Sequence, residues 1–186
     1  MIDSNTRIIM AAKATIYKVQ LNIANMDLHY YDLHQLTLAK HPSETDLRLM
    51  SRLLAFVFNA SERLEFSKGI SQDDEPDLWE KELSGDIALW IDLGQPDEKR
   101  IKKACGRSEK VIIYTYQEGS ALAWWQQSEK NLQRFKNLSV RYLKTEGDIT
   151  IFTQRSMELQ CNISDAELTL IADEESLVVT QEIWKV

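Results

Sequence analysis

The chain has 186 residues, 44% hydrophobic and 27% charged, the balance of one globular domain with a sizeable core. Its net charge of −7 argues against nonspecific coating of nucleic acid, and two cysteines far apart in sequence, Cys105 and Cys161, make no disulfide framework. No apolar run approaches the roughly 20 residues of a membrane span, and the N-terminal run is too short for a secretory signal, so a cytoplasmic protein without a membrane partner is expected.

Residues 1–12 read as a flexible N-terminal extension. Residues 14–23 (ATIYKVQLNI) alternate apolar and polar, as do 31–39 (YDLHQLTLA), and Asn25-Met26-Asp27 can turn the chain between them. Together they predict a hairpin of half-buried strands. Pro42-Ser43 announces a helix, with Ser43 as N-cap and Asp46 completing an imperfect capping box. The body of that helix, 44–60, is apolar almost all round and is expected to be buried. Its polar stripe is Glu44, Arg48 and Arg52, at successive i, i+4 spacing.

A short strand at 64–67, closed by Lys68-Gly69, precedes the acidic loop Asp73-Asp74-Glu75, and Pro76-Asp77 opens the next strand. Residues 87–91 (IALWI) have the composition of a strand buried on both faces. Asp92 interrupts that run, Leu93 resumes it, and Gly94-Gln95-Pro96 breaks it. A short helix follows, with Asp97 and Glu98 in its first turn, where acids suit the helix dipole. Lys99, Arg100, Lys102 and Lys103 surround its apolar seam of Ile101, Ala104 and Cys105. Residues 110–116 make a further apolar strand, 120–135 a helix and 138–143 a strand. From 146 onward the pattern is all β, with strands at 149–152, 157–163, 168–172 and 177–184. Residues 97–144 hold eleven Lys and Arg against five Asp and Glu, a local +6, so the middle of the chain can attract an anion although the whole cannot.

Without repeats or a linker, 1–186 reads as one α+β domain. A mixed αβ core spans 42–143, and an added antiparallel β-sheet or open barrel comes from 13–40 and 146–186. An acid in a buried strand is costly to desolvate unless something pairs with it or binds it. Asp77 and Asp92 lie on neighbouring segments, with Glu44 at the start of the buried helix. Carboxylates converging at strand ends make an oxygen-ligand site for Mg²⁺ or Mn²⁺, which activates water and holds a phosphate while a lysine stabilises charge. Lys102 and Lys103 are the candidate lysines, and Arg48, Arg52, Lys99 and Arg100 the candidate phosphate contacts.

Each of these residues also has a plainer reading. Asp92 can accept backbone N–H bonds from the Gly94–Pro96 turn, Asp77 can be a turn acid, and Glu44 can pair with Arg48 at the helix start. The lysines can be the solvated face of an amphipathic helix. Trp124-Trp125 can stack bases or fill the core. The three histidines show no metal-ligand spacing, and neither a nucleophilic triad nor a phosphate loop is present.

The order helix, strand, strand with PD, strand ending in an acid, helix, strand resembles the core of the PD-(D/E)XK nuclease superfamily. More closely, KATIYK, AKHPSET, ERLEFSKG, DDEPDLW, LWIDLGQPDEKRIKKA and NLSVRYL, in order over about residues 13–145, resemble the YaeQ family of bacterial proteins. The resemblance implies a restriction-endonuclease-like mixed αβ core and a metal-dependent nuclease site acting on nucleic acid. Pro76-Asp77 matches PD and Asp92 the D/E position. Gly94 stands where the motif has lysine, which some members supply from the next helix, here Lys102 or Lys103. Glu44 matches the extra acid that some members carry on the first helix. The alternative implied is a catalytically inactive module of the same fold that binds nucleic acid or a protein partner.

Overall fold

The computed structural model describes residues 14–67 and 74–186. The expected extension at 1–12, the Lys68-Gly69 closure and Asp73 lie outside the described residues.

The parallel centre of the sheet follows from the two double-sided apolar runs. Strand β5 (Ile87–Leu93) pairs in parallel with β6 (Ser108–Thr115), and β6 with β7 (Leu138–Thr145). The connections are α2 (Glu98–Arg107) and α3 (Glu118–Leu132), which cover one face of these strands. Alternate side chains of each strand therefore go to different cores. Trp90, Val111, Ile113 and Val140 meet Ile101 and Ala104 of α2 and Trp125 and Leu132 of α3. Ile91, Leu93, Ile112 and Tyr114 point the other way, toward α1 (Asp46–Phe58). Nine consecutive α1 residues, Leu49 to Val57, are buried, which fits the all-round apolar sequence.

The remaining strands continue the same sheet instead of forming a separate layer. β4 (Leu78–Lys81) and β3 (Leu64–Phe66) extend it antiparallel from β5. On the other side, β10 (Glu175–Lys185), β9 (Glu167–Ala172) and β8 (Ser156–Ser164) form a meander joined to β7. A parallel pairing to β8 then attaches the hairpin of β1 (Thr15–Asn25) and β2 (Tyr30–Lys40). The order is β2-β1-β8-β9-β10-β7-β6-β5-β4-β3, a ten-stranded, nearly closed sheet curled around α1. Its two ends meet the same helix side chain: the Phe56 ring lies 5.0 Å from His34 of β2 and 5.4 Å from Phe66 of β3.

Two local expectations are corrected. The expected strand at 149–152 is a 3-10 turn: Asp148 Oδ1 accepts from Thr150 N at 2.9 Å, and Ile149 and Phe152, three residues apart, both reach the core. The N-cap of α1 is Thr45, whose hydroxyl accepts from Arg48 N at 3.2 Å, and not Ser43, whose hydroxyl bonds His41. Glu44 consequently precedes the helix instead of starting it.

Candidate functional site

At the carboxyl end of β5 the chain must leave a buried strand, and Gly94 lets it do so with φ of +91°, a backbone that side chains other than glycine's rarely adopt. Gly94 N donates to Tyr114 O at 2.8 Å, which ties the turn to β6. Asp97 then caps α2, its Oδ1 accepting from Arg100 N at 2.7 Å. The capping task is therefore met by Asp97, and Asp92 is left with a different partner.

Asp92 alternates with Ile91 and Leu93, so its carboxylate faces α2, and the residue is only 1% exposed. Arg100 meets it as a two-toothed clamp: Nη2 donates to Oδ1 at 2.7 Å and Nε to Oδ2 at 2.8 Å. The same guanidinium donates to Glu75 O at 2.8 Å, tying α2 to the loop before β4. Burial pushes the Asp92 carboxyl up, against the pull of Arg100.

Asp77 immediately precedes β4. The register pairs Leu78 with Ile91, so one further step sets Asp77 beside Asp92 along the chain. Their side chains nevertheless part. Asp77 N donates to Ile91 O at 3.0 Å, its Oδ2 accepts from Leu93 N at 2.8 Å, and Arg48 Nη2 from α1 reaches both carboxylate oxygens, at 2.8 and 3.1 Å. The two acids of the motif are thus clamped by arginines from helices on opposite faces of the sheet.

Glu44 sits behind Arg48. Its side chain is fully buried, with Oε1 3.0 Å from Arg52 Nε and 3.5 Å from Arg48 Nη1. The Arg52 contact is an ion pair without hydrogen-bond alignment, so Arg52 Nε and Glu44 Oε2 have no hydrogen-bond partner. Burial raises the Glu44 carboxyl and lowers the Arg52 guanidinium. Tyr116, just past β6, belongs to this network: burial raises its hydroxyl, and the charge of Arg48 opposes that rise. No spacing rule marks Tyr116, because only the end of β6 brings it to α1.

The basic residues divide into two sets. Arg48, Arg52 and Arg100 are engaged with acids, whereas Lys99 and Lys102 are exposed on α2 and pair with no acid among the described residues. Lys103 pairs with Asp74, and Arg107 donates to Asp74 O at 3.1 Å. Lys99, Arg100 and Lys103 line an open cleft of about 490 Å³ with Asp74 and Asp97. Trp125 is core, 6.0 Å from Trp184, and Trp124 donates its indole N–H to Pro96 O at 3.0 Å.

Among the described residues no three acid, histidine or cysteine side chains come together to hold a metal ion. No helix among them is long and apolar enough to cross a membrane.

The family model described as YaeQ protein matches residues 10–181. The chain is similar to the YaeQ protein of Escherichia coli K12, 45% identical over 95% of this chain and 98% of that one. The Salmonella typhi protein is 43% identical over the same shares. The crystal structure of the YaeQ protein from Xanthomonas axonopodis pv. citri is 44% identical and superposes with a TM-score of 0.88, covering 92% of this chain and 98% of that one. The structure from Pseudomonas syringae is 30% identical with a TM-score of 0.87, covering 93% and 97%.

Proposed function

The chain belongs to the YaeQ family, and we propose that it keeps the layout of a PD-(D/E)XK nuclease core without that core's metal chemistry and binds nucleic acid through the exposed basic face of α2. The observation that carries this reading is the pair of arginine clamps. A Mg²⁺ site needs carboxylate oxygens converging on one point, but Asp77 gives its oxygens to Arg48 and Leu93 N while Asp92 gives both of its own to Arg100. The donor set in this arrangement does not fit the ion. The restriction-endonuclease-like description is supported by the order of elements: α1, then β3 to β5, then α2 and β6.

The cationic surface is local, which suits recognition of a few phosphates better than coating of a long duplex. Lys99 and Lys102 would take phosphates directly, with Lys103 joining them by exchanging Asp74. A second reading, a metal-dependent nuclease with Asp77 and Asp92 as ligands and Lys102 or Lys103 at the water, draws on the register that sets the two acids side by side.

Two measurements separate the readings. Fluorescence anisotropy with labelled single-stranded DNA, duplex DNA and RNA is expected to show binding that the combined change Lys99→Ala and Lys102→Ala weakens. No binding of any of them at low salt would overturn the proposal. Calorimetric titration with Mg²⁺ and Mn²⁺ is expected to give no binding heat in the millimolar range. Binding that Asp92→Asn abolishes would instead establish the nuclease reading.

A further inference from the structure

Lys99, Lys103 and Arg107 recur at i, i+4 spacing along α2 and so share one face of the helix, with Arg100 next to Lys99. Like charges at that spacing repel unless an acid comes among them. The acids of α2 are engaged elsewhere: Glu98 turns to Arg134 and, at 3.0 Å, to Asn131 Nδ2, and Asp97 holds the helix cap. The acid that does arrive is Asp74, from the loop before β4, and its carboxylate pairs with Lys103.

The backbone beneath Asp74 is fixed. Arg107 Nη1 donates to Asp74 O at 3.1 Å and Arg100 Nη2 to Glu75 O at 2.8 Å, so two consecutive carbonyls of the loop are tied to α2. Both arginines are themselves held, Arg100 by the Asp92 carboxylate and Arg107 over the Trp90 ring at 5.7 Å. The Asp74 side chain is not held in this way. It is 72% exposed and the Lys103 side chain 40%, and an ion pair so open to water contributes little and exchanges readily. The pair lines the cleft of about 490 Å³ together with Lys99 and Arg100. A carboxylate there meets the lysine as a phosphate oxygen would, so a phosphate that enters the cleft must displace it.

We propose, resting on the reading of α2 as a nucleic-acid surface, that Asp74 is an internal competitor for phosphate: it occupies Lys103 in the free protein and gives way to a strand that engages Lys99 and Lys102 as well.

Anisotropy titrations of the full chain with labelled single-stranded DNA, duplex DNA and RNA test this, with circular dichroism to check that each variant folds. Asp74→Asn is expected to tighten binding at least about threefold at low salt, the scale of an exposed ion pair. Asp97→Asn removes a charge from the same cleft while keeping a capping side chain on α2, and is expected to tighten binding less. Lys103→Ala is expected to weaken Asp74→Asn at least about threefold more than it weakens the wild type, because in the variant the lysine is no longer occupied. Equal gains from Asp74→Asn and Asp97→Asn, or effects of Asp74→Asn and Lys103→Ala that simply add, overturn the competition and leave the α2 surface standing. No binding of any strand by the wild type and Asp74→Asn alike overturns the surface itself, and the role of Asp74 with it.

Discussion

Gly94 shows how one backbone angle decides what a motif position can hold. In the sequence it stands where the nuclease motif that the chain resembles has lysine, and its φ of +91° makes any other residue there strained. Gly94→Lys restores the motif on paper. It is expected to destabilise the fold by about 1–2 kcal/mol in urea unfolding, without creating Mg²⁺-dependent cleavage of a labelled oligonucleotide. Buried carboxylates give a second residue-level consequence. Burial pushes Glu44 and Asp92 above their ordinary values of 4.5 and 3.8. The folded state therefore keeps protons that the unfolded chain releases at those values, and the stability tied to them is lost as pH rises from there toward the raised values. Glu44→Gln removes one such group. The difference in urea midpoint between wild type and Glu44→Gln is expected to shift against the wild type as pH is raised from about 4 to about 7.

Among the elements, α1 lies inside the curled sheet, buried over Leu49 to Val57, and its N-cap is a single hydroxyl. Thr45 caps it, whereas Ser43, which the sequence pattern favours, bonds His41 one turn outside. Thr45→Ala is expected to cost about 1 kcal/mol and Ser43→Ala a few tenths, which chemical denaturation of the two variants distinguishes. α2 shows the opposite division of labour. Its buried side is slight, Ile101 and Ala104 with Cys105 half-buried beside them, and its basic side chains serve as clamp and as charged surface. Arg100 belongs to the clamp, while Lys99 and Lys102 face solvent, although all three look alike in the run of basic residues.

Over the whole molecule, a net charge of −7 coexists with a cationic stretch between 97 and 144 because the segments on both sides of it, 1–96 and 145–186, carry an excess of acids. The nucleic-acid binding proposed for α2 is therefore expected to depend on salt with a shallow slope, set by few phosphates. Replacing Lys99 or Lys102 by alanine is expected to lower the slope of log K against log salt by about one each, read from anisotropy titrations at several salt concentrations. The curled sheet gives this surface its footing. Asp92 and Glu75 O hold Arg100, and through it α2, against the end of β5.

The order of elements was legible in the sequence because each is written in local periodicity: the alternation of β1 and β2, the double-sided runs of β5 and β6, the all-round apolar α1. The identity of the buried acids was legible too, since Asp92 breaks an apolar strand and Asp77 follows a proline. The fate of those acids was not. Whether two carboxylates converge on an ion or part to opposite faces depends on which long side chains arrive from helices elsewhere in the sequence, Arg48 across 29 residues to Asp77 and Arg100 across eight to Asp92. Nor does periodicity say that the terminal strands join the core sheet. That was decided by the antiparallel pairing of β10 with β7, which joins the C-terminal meander to the core, and by the parallel pairing of β1 with β8, which joins the two ends of the chain. Local pattern fixes faces and lengths; partners across the sheet and between layers are chosen only when the chain has closed on itself.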